Sequence, residues 1–102
     1  MATLSLIRAK TDPDFPPNIT AEFRFGSTSM GTLTFPNADQ WQNFAPNTKY
    51  FSTPNKLKLY MGEGVLVDTC PNKINPSPQQ TAYQRILSCN LGTYTVEYNV
   101  TL

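Results

Sequence analysis

Residues 92–102 read GTYTVEYNVTL, and this stretch decides the fold class. Tyr94, Val96, Tyr98, Val100 and Leu102 fall on one parity, and Thr93, Thr95, Glu97, Asn99 and Thr101 on the other. Alternation with a period of two is the pattern of a strand that turns one face to a core. Ten such residues reach about 33 Å, nearly the width of a 100-residue domain, so the strand is expected to cross a whole sheet. The tyrosine and valine face belongs to the core. The threonine-rich face is left to solvent or to a neighbouring subunit.

The same period recurs upstream. ITAEFRF places Ile19, Ala21, Phe23 and Phe25 on one side, and after Gly26–Ser29 the segment MGTLTF supplies a hairpin partner with Leu33 and Phe35 together. Ala2–Ala9, KLKLYM (56–61), VLVDTC (65–70) and TAYQRILSC (81–89) alternate in the same way, Gly62–Gly64 turning the second of these back into the third. In VLVDTC the register leaves open whether Val65 and Val67 or Leu66 face inward. PNKINPSPQQ (71–80), rich in Pro and Asn, reads as a surface loop. Six or seven strands joined mostly by short turns predict an all-β, antiparallel two-sheet sandwich or jelly-roll-like fold in a single domain spanning residues 1–102.

Two segments break the strand pattern. Residues 10–18 hold three prolines and two aspartates, a composition that disfavours both helix and ladder, so they read as an extended arm or connector. Asp12, Pro13, Phe15, Pro16 and Pro17 of this arm are the candidate interface residues. In FPNADQWQNFAPN, Asn37 can act as N-cap with Gln40 three residues on, and Pro46 is a stop. A short helix over about residues 38–45 is predicted there, with Trp41 and Phe44 pressed on the sheet.

Composition limits the chemistry. With no histidine, the usual general base, the Ser/His/Asp triad and most transition-metal sites are absent. The carboxylates are scattered, and the closest approach to a catalytic pair, Glu22 with Glu97, sits on the polar faces of two strands. The five glycines are dispersed at turns and form no phosphate loop. Cys70 and Cys89 could remain free thiols or close a disulfide loop; with no histidine beside them they cannot complete a zinc site. No catalytic residue, cofactor or metal is expected. Asn18-Ile19-Thr20 and Asn99-Val100-Thr101 match the glycosylation acceptor triplet, which a chain rich in Asn and Thr produces by chance. The start, MATLSLIRAK, is too polar for a signal peptide, and no apolar run is long enough to span a membrane.

A net charge of +1 provides no long-range field for nucleic acid or anionic membranes. The nearest thing to a basic and aromatic patch is Lys49, Lys56 and Lys58 with Tyr50, Phe51 and Tyr60. What remains is the surface itself. Few charges, many Thr and Asn and strict alternation suit a subunit that packs on neighbours without desolvating ions. The expectation is a structural protein acting through protein–protein contacts in a homo-oligomer or in a capsid or tail lattice. A virion component, such as a decoration or minor capsid protein assembled in the host cytoplasm, is the leading case. The alternative is a small carbohydrate- or ligand-binding module, extracellular, with Trp41, Tyr50 and Tyr60 as its platform.

Overall fold

The computed structural model describes residues 2–61 and 65–102, and of residues 65–72 and Cys89 the backbone alone. The closing segment forms β9 (Gly92–Thr101), which lies between β1 (Ala2–Thr11) and β8 (Gln80–Cys89) in the first sheet. On the far side of β1, two short strands, β4 (Gln42–Asn43) and β5 (Lys49–Phe51), pair with different parts of it. The second sheet has the order β3 (Thr28–Phe35), β2 (Ile19–Phe25), β6 (Asn55–Met61), β7 (Val65–Ile74). Every pairing is antiparallel. The two sheets pack as a sandwich, as the alternation predicted.

The inward parity of β9 is buried as expected, with Tyr94, Val96, Tyr98 and Val100 at most 1% exposed. The apolar face stops at Val100, since Leu102 lies beyond the strand and is 67% exposed. Opposite stand Phe23, Phe25, Leu57 and Leu59 of β2 and β6, all buried. The Phe23 ring meets Tyr94 edge to face at 5.7 Å, joining the two sheets through the middle of the core. Its ten residues span about 33 Å, against a longest molecular dimension of 36 Å.

The predicted helix at 38–45 does not form, and none of the described residues is helical. A window this short cannot hold a helix without strong packing, and the backbone finds better partners in β1. Asp39 adopts a positive φ of 60° and its N–H donates to the Thr11 carbonyl, while the Phe44 N–H donates to the Ile7 carbonyl. Gln42 and Asn43 then pair with Ala9 and Arg8. In this extended form Trp41 and Phe44 part company. Phe44 packs edge-on to Phe23 at 5.1 Å, and Trp41 lies over β1 side chains.

The predicted arm also takes a different course. Lys10 and Thr11 belong to β1, and residues 12–18 fold back on the β8–β9 turn instead of extending away. The Asp12 N–H donates to the Thr93 carbonyl, and the Phe15 N–H to the Asp12 carbonyl. The Asp14 carboxylate accepts from both the N–H and the hydroxyl of Thr93. Phe15 is 5% exposed and edge-on to Tyr94. A core aromatic in the middle of the proline cluster converts the arm into a latch, because leaving that ring in water is costly. Of the interface candidates, Pro13, Pro16 and Pro17 remain exposed, Asp12 is half-buried and Phe15 is withdrawn.

The loop expected at 71–80 is shorter than predicted, because β7 continues through Ile74, which is fully buried. Pro71 is tolerated there because β7 is the edge strand of its sheet. The side chains of Val65, Leu66, Val67, Cys70 and Cys89 lie outside the described residues.

Candidate functional site

Three surfaces carry the residues that could act on a partner or ligand. The first is the outer face of the β5-β1-β9-β8 sheet. In register across it, Arg8 faces Glu97 and Glu97 faces Gln84. Arg8 Nη2 and Gln84 Nε2 both donate to Glu97 Oε1, at 3.2 and 2.9 Å. The hydrogen bond from Gln84, with help from Arg8 and against the opposing effect of burial, holds the Glu97 carboxyl below its ordinary value of 4.5. Trp41 covers this group, with the Arg8 guanidinium 4.1 Å and the Lys10 ammonium 5.0 Å from its ring centroid. The cover is tight enough that Arg8 Nε is shut off from solvent with no hydrogen-bond partner among the described residues. Glu97 is only 8% exposed and Thr95 7%, although both sit on the polar parity of β9.

The charges of this face are thus gathered under Trp41, and the remaining surface is neutral. At one corner, β5 places Tyr50 opposite Thr3. At the diagonal corner, β8 places Ile86 opposite Thr95. They are 69% and 66% exposed, conspicuous for large side chains.

The outer face of the second sheet is cationic. Lys56 and Lys58 of β6 point outward between buried Leu57 and Leu59. Lys58 pairs with Arg24 and Lys56 with Lys73. Tyr60 lies beside them, with the Arg24 guanidinium 3.9 Å from its ring centroid, and Arg24 Nε donates to Glu22 at 2.7 Å. A hydrogen bond from Ser29, then Arg24, draw the Glu22 carboxyl below its ordinary value.

The platform predicted from Trp41, Tyr50 and Tyr60 is therefore divided. Trp41 and Tyr50 share one outer face, about 16 Å apart along β1, and Tyr60 is on the opposite side of the sandwich. The basic and aromatic patch is divided in the same way, Lys49, Tyr50 and Phe51 on one sheet and Lys56, Lys58 and Tyr60 on the other, with Phe51 in the core. Glu22 and Glu97 also lie on opposite outer faces and do not meet. No cluster of metal-ligating side chains occurs among the described residues.

The third surface is a cleft of about 240 Å³ at the β7–β8 corner, where the sandwich opens. Gln80, Tyr83 and Arg85 of β8, Tyr98 of β9, and Asn75, Ser77 and Pro78 of the β7–β8 connection line it. Arg85 has the parity of fully buried Leu87 and so carries its charge toward the interior. It donates to the Lys73 carbonyl and lies beside the Tyr98 hydroxyl in the lining of the cleft. Burial, opposed by Arg85, pushes the Tyr98 hydroxyl above its ordinary value of 10.0, so it stays protonated at neutral pH. The sequence hinted at this site only through an arginine on the inward parity of a strand.

No protein-family model matches the chain, and no curated protein sequence matches it. Among solved structures, it is similar to one described as "Structure of a C2 domain", with a TM-score of 0.52 and 14% identity over 99% of this chain and 97% of that one. The fold is a C2-like β-sandwich. At that identity the likeness covers the architecture alone. The observed sheets and the neighbour agree on an all-β sandwich.

Proposed function

We propose that this chain is a non-catalytic subunit that binds other protein subunits, its own copies first, through the outer face of the β5-β1-β9-β8 sheet. The observation that carries the reading is the contrast between the two faces. One is cationic; the other has its Arg8–Glu97 pair and Lys10 gathered against Trp41, and offers Tyr50 and Ile86 among uncharged side chains. Interface centres are depleted of charge and enriched in aromatic residues, and Trp and Tyr recur among their strongest contributors. Four strand positions by about 33 Å give on the order of 600 Å², close to one partner's share of a standard interface. The Thr- and Asn-rich composition, with few charged residues, supports a lattice or virion setting such as a capsid decoration protein.

Sedimentation velocity over a concentration series tests the reading. The native chain should form a defined oligomer, and Ile86→Glu or Tyr50→Glu should return it to monomer with the melting temperature preserved. A native chain that stays monomeric at every concentration and does not co-sediment with assembled particles would remove the proposal. The ligand-binding alternative finds its own support in the cleft and not in the predicted three-ring platform.

A further inference from the structure

We propose that the cleft at the β7–β8 corner is a binding site for a single carboxylate-bearing sugar unit, with Arg85 taking the carboxylate, Tyr83 the ring, and Asn75, Ser77, Gln80 and Tyr98 the hydroxyls. The site lies on the core side of β8, away from the outer face proposed for subunit contact, so the two readings stand or fall separately.

The argument begins with the charge. Arg85 points between the sheets, and its described hydrogen-bond partner, the Lys73 backbone carbonyl, and the neighbouring Tyr98 phenol are both neutral. The carbonyl engages a minority of the five N–H donors of a guanidinium, and no carboxylate lines the cleft among the described residues. A half-buried cation with no anion beside it among the described residues leaves donors for a ligand, and a planar carboxylate matches its fork with two parallel hydrogen bonds. An inward charge also guards an edge strand against unwanted pairing, which accounts for an arginine here but not for the shape and lining around it.

The rest of the lining selects the body of the ligand. Tyr83 is 44% exposed at the mouth and held edge-on to Tyr98 with centroids 5.7 Å apart, so part of its ring is open to solvent in a fixed orientation. An aromatic face attracts the weakly positive C–H bonds on one side of a sugar ring. The amides of Asn75 and Gln80 and the hydroxyls of Ser77 and Tyr98 each offer both donors and acceptors, the pairing that vicinal hydroxyls require. Sites for drug-sized ligands begin at about 300 Å³. A cleft of about 240 Å³ holds one ring, and its small apolar share offers little to the side chains of a peptide.

The test is a two-dimensional amide NMR titration of the intact chain with glucuronate and N-acetylneuraminate, alongside methyl glucoside, acetate and an acidic peptide. At least one acidic sugar should give saturable shifts centred on Tyr83, Arg85 and the 75–80 loop. Binding should weaken at least about tenfold in Arg85→Gln, as loss of a charge-assisted pair requires, and also in Tyr83→Ala. Arg85→Lys, which keeps the charge without the fork, should bind at an intermediate level and supplies a second variant should the glutamine form unfold. No saturable shift with either acidic sugar overturns the proposal, as does binding unchanged in all three variants. Equal binding of acetate or of methyl glucoside would show that the ring or the carboxylate is not being recognised, and preferential binding of the peptide would reassign the site; each refutes the sugar assignment.

Discussion

Replacing Phe15 with alanine separates a latch from an arm. The ring is 5% exposed and meets Tyr94 edge-on at 6.4 Å, and the flanking segment is tied to Thr93 by Asp12 and Asp14. Removing a buried phenylalanine ring costs about 3–5 kcal/mol, and a loop that can partly collapse onto the space belongs at the low end, about 3 kcal/mol. For a domain of this size each kcal/mol lowers the melting temperature by about 4–8 °C, so Phe15→Ala should melt roughly 12–24 °C below the native chain. Exposed Pro16 is the internal control, since a surface change such as Pro16→Ser falls within about 0.5 kcal/mol. Differential scanning calorimetry reads both. A loss of less than about 3 °C in Phe15→Ala would mean that the ring does not help hold the fold together and that residues 12–18 are free to reach elsewhere.

Two further outcomes test neighbouring parts of the structure. Gly92 has a φ of 141°, and a Cβ there would sit 2.9 Å from the Asp14 carbonyl oxygen and from Phe15 Cα. Gly92→Ala should therefore destabilise by roughly 1–3 kcal/mol in chemical denaturation, and a neutral result would contradict the close approach of latch and turn. Glu97 has a folded-state pKa below 4.5, through Gln84 first and Arg8 after it, so its ionised form stabilises the fold above pH 4.5 and that contribution is lost as pH falls through the folded value. Glu97→Gln should melt lower than the native chain at neutral pH, with the gap closing as the pH drops below 4.5; a gap independent of pH would rule out the ionic role.

Local alternation was enough to determine the all-β class, the β2–β3 hairpin and the buried parity of β9, because a strand with one face in a core writes its burial directly into every second residue. The same logic extends to Leu57 and Leu59, buried between outward lysines. The failures came where a residue's partner is remote in sequence. The capping signals at Asn37 and Gln40 were real as local chemistry, yet β1 offered the backbone of residues 39–44 hydrogen bonds from 28 to 37 positions away. Prolines around Phe15 announced an extended segment and carried no information about the cavity beside Tyr94 that receives the ring.

The candidate surfaces depended even more on pairing register. Trp41, Tyr50 and Tyr60 look alike in the sequence, and only the assignment of β5 to one sheet and β6 to the other places Tyr60 on the opposite side of the molecule. Arg8, Gln84 and Glu97 become one covered group because three strands align them, and Arg85 becomes the charge of a cleft because the β7–β8 corner opens beside it. Periodicity, a property of neighbours along the chain, determined which side chains are buried. Which exposed ones stand together is a property of neighbours across strands, and that the tertiary structure alone decided.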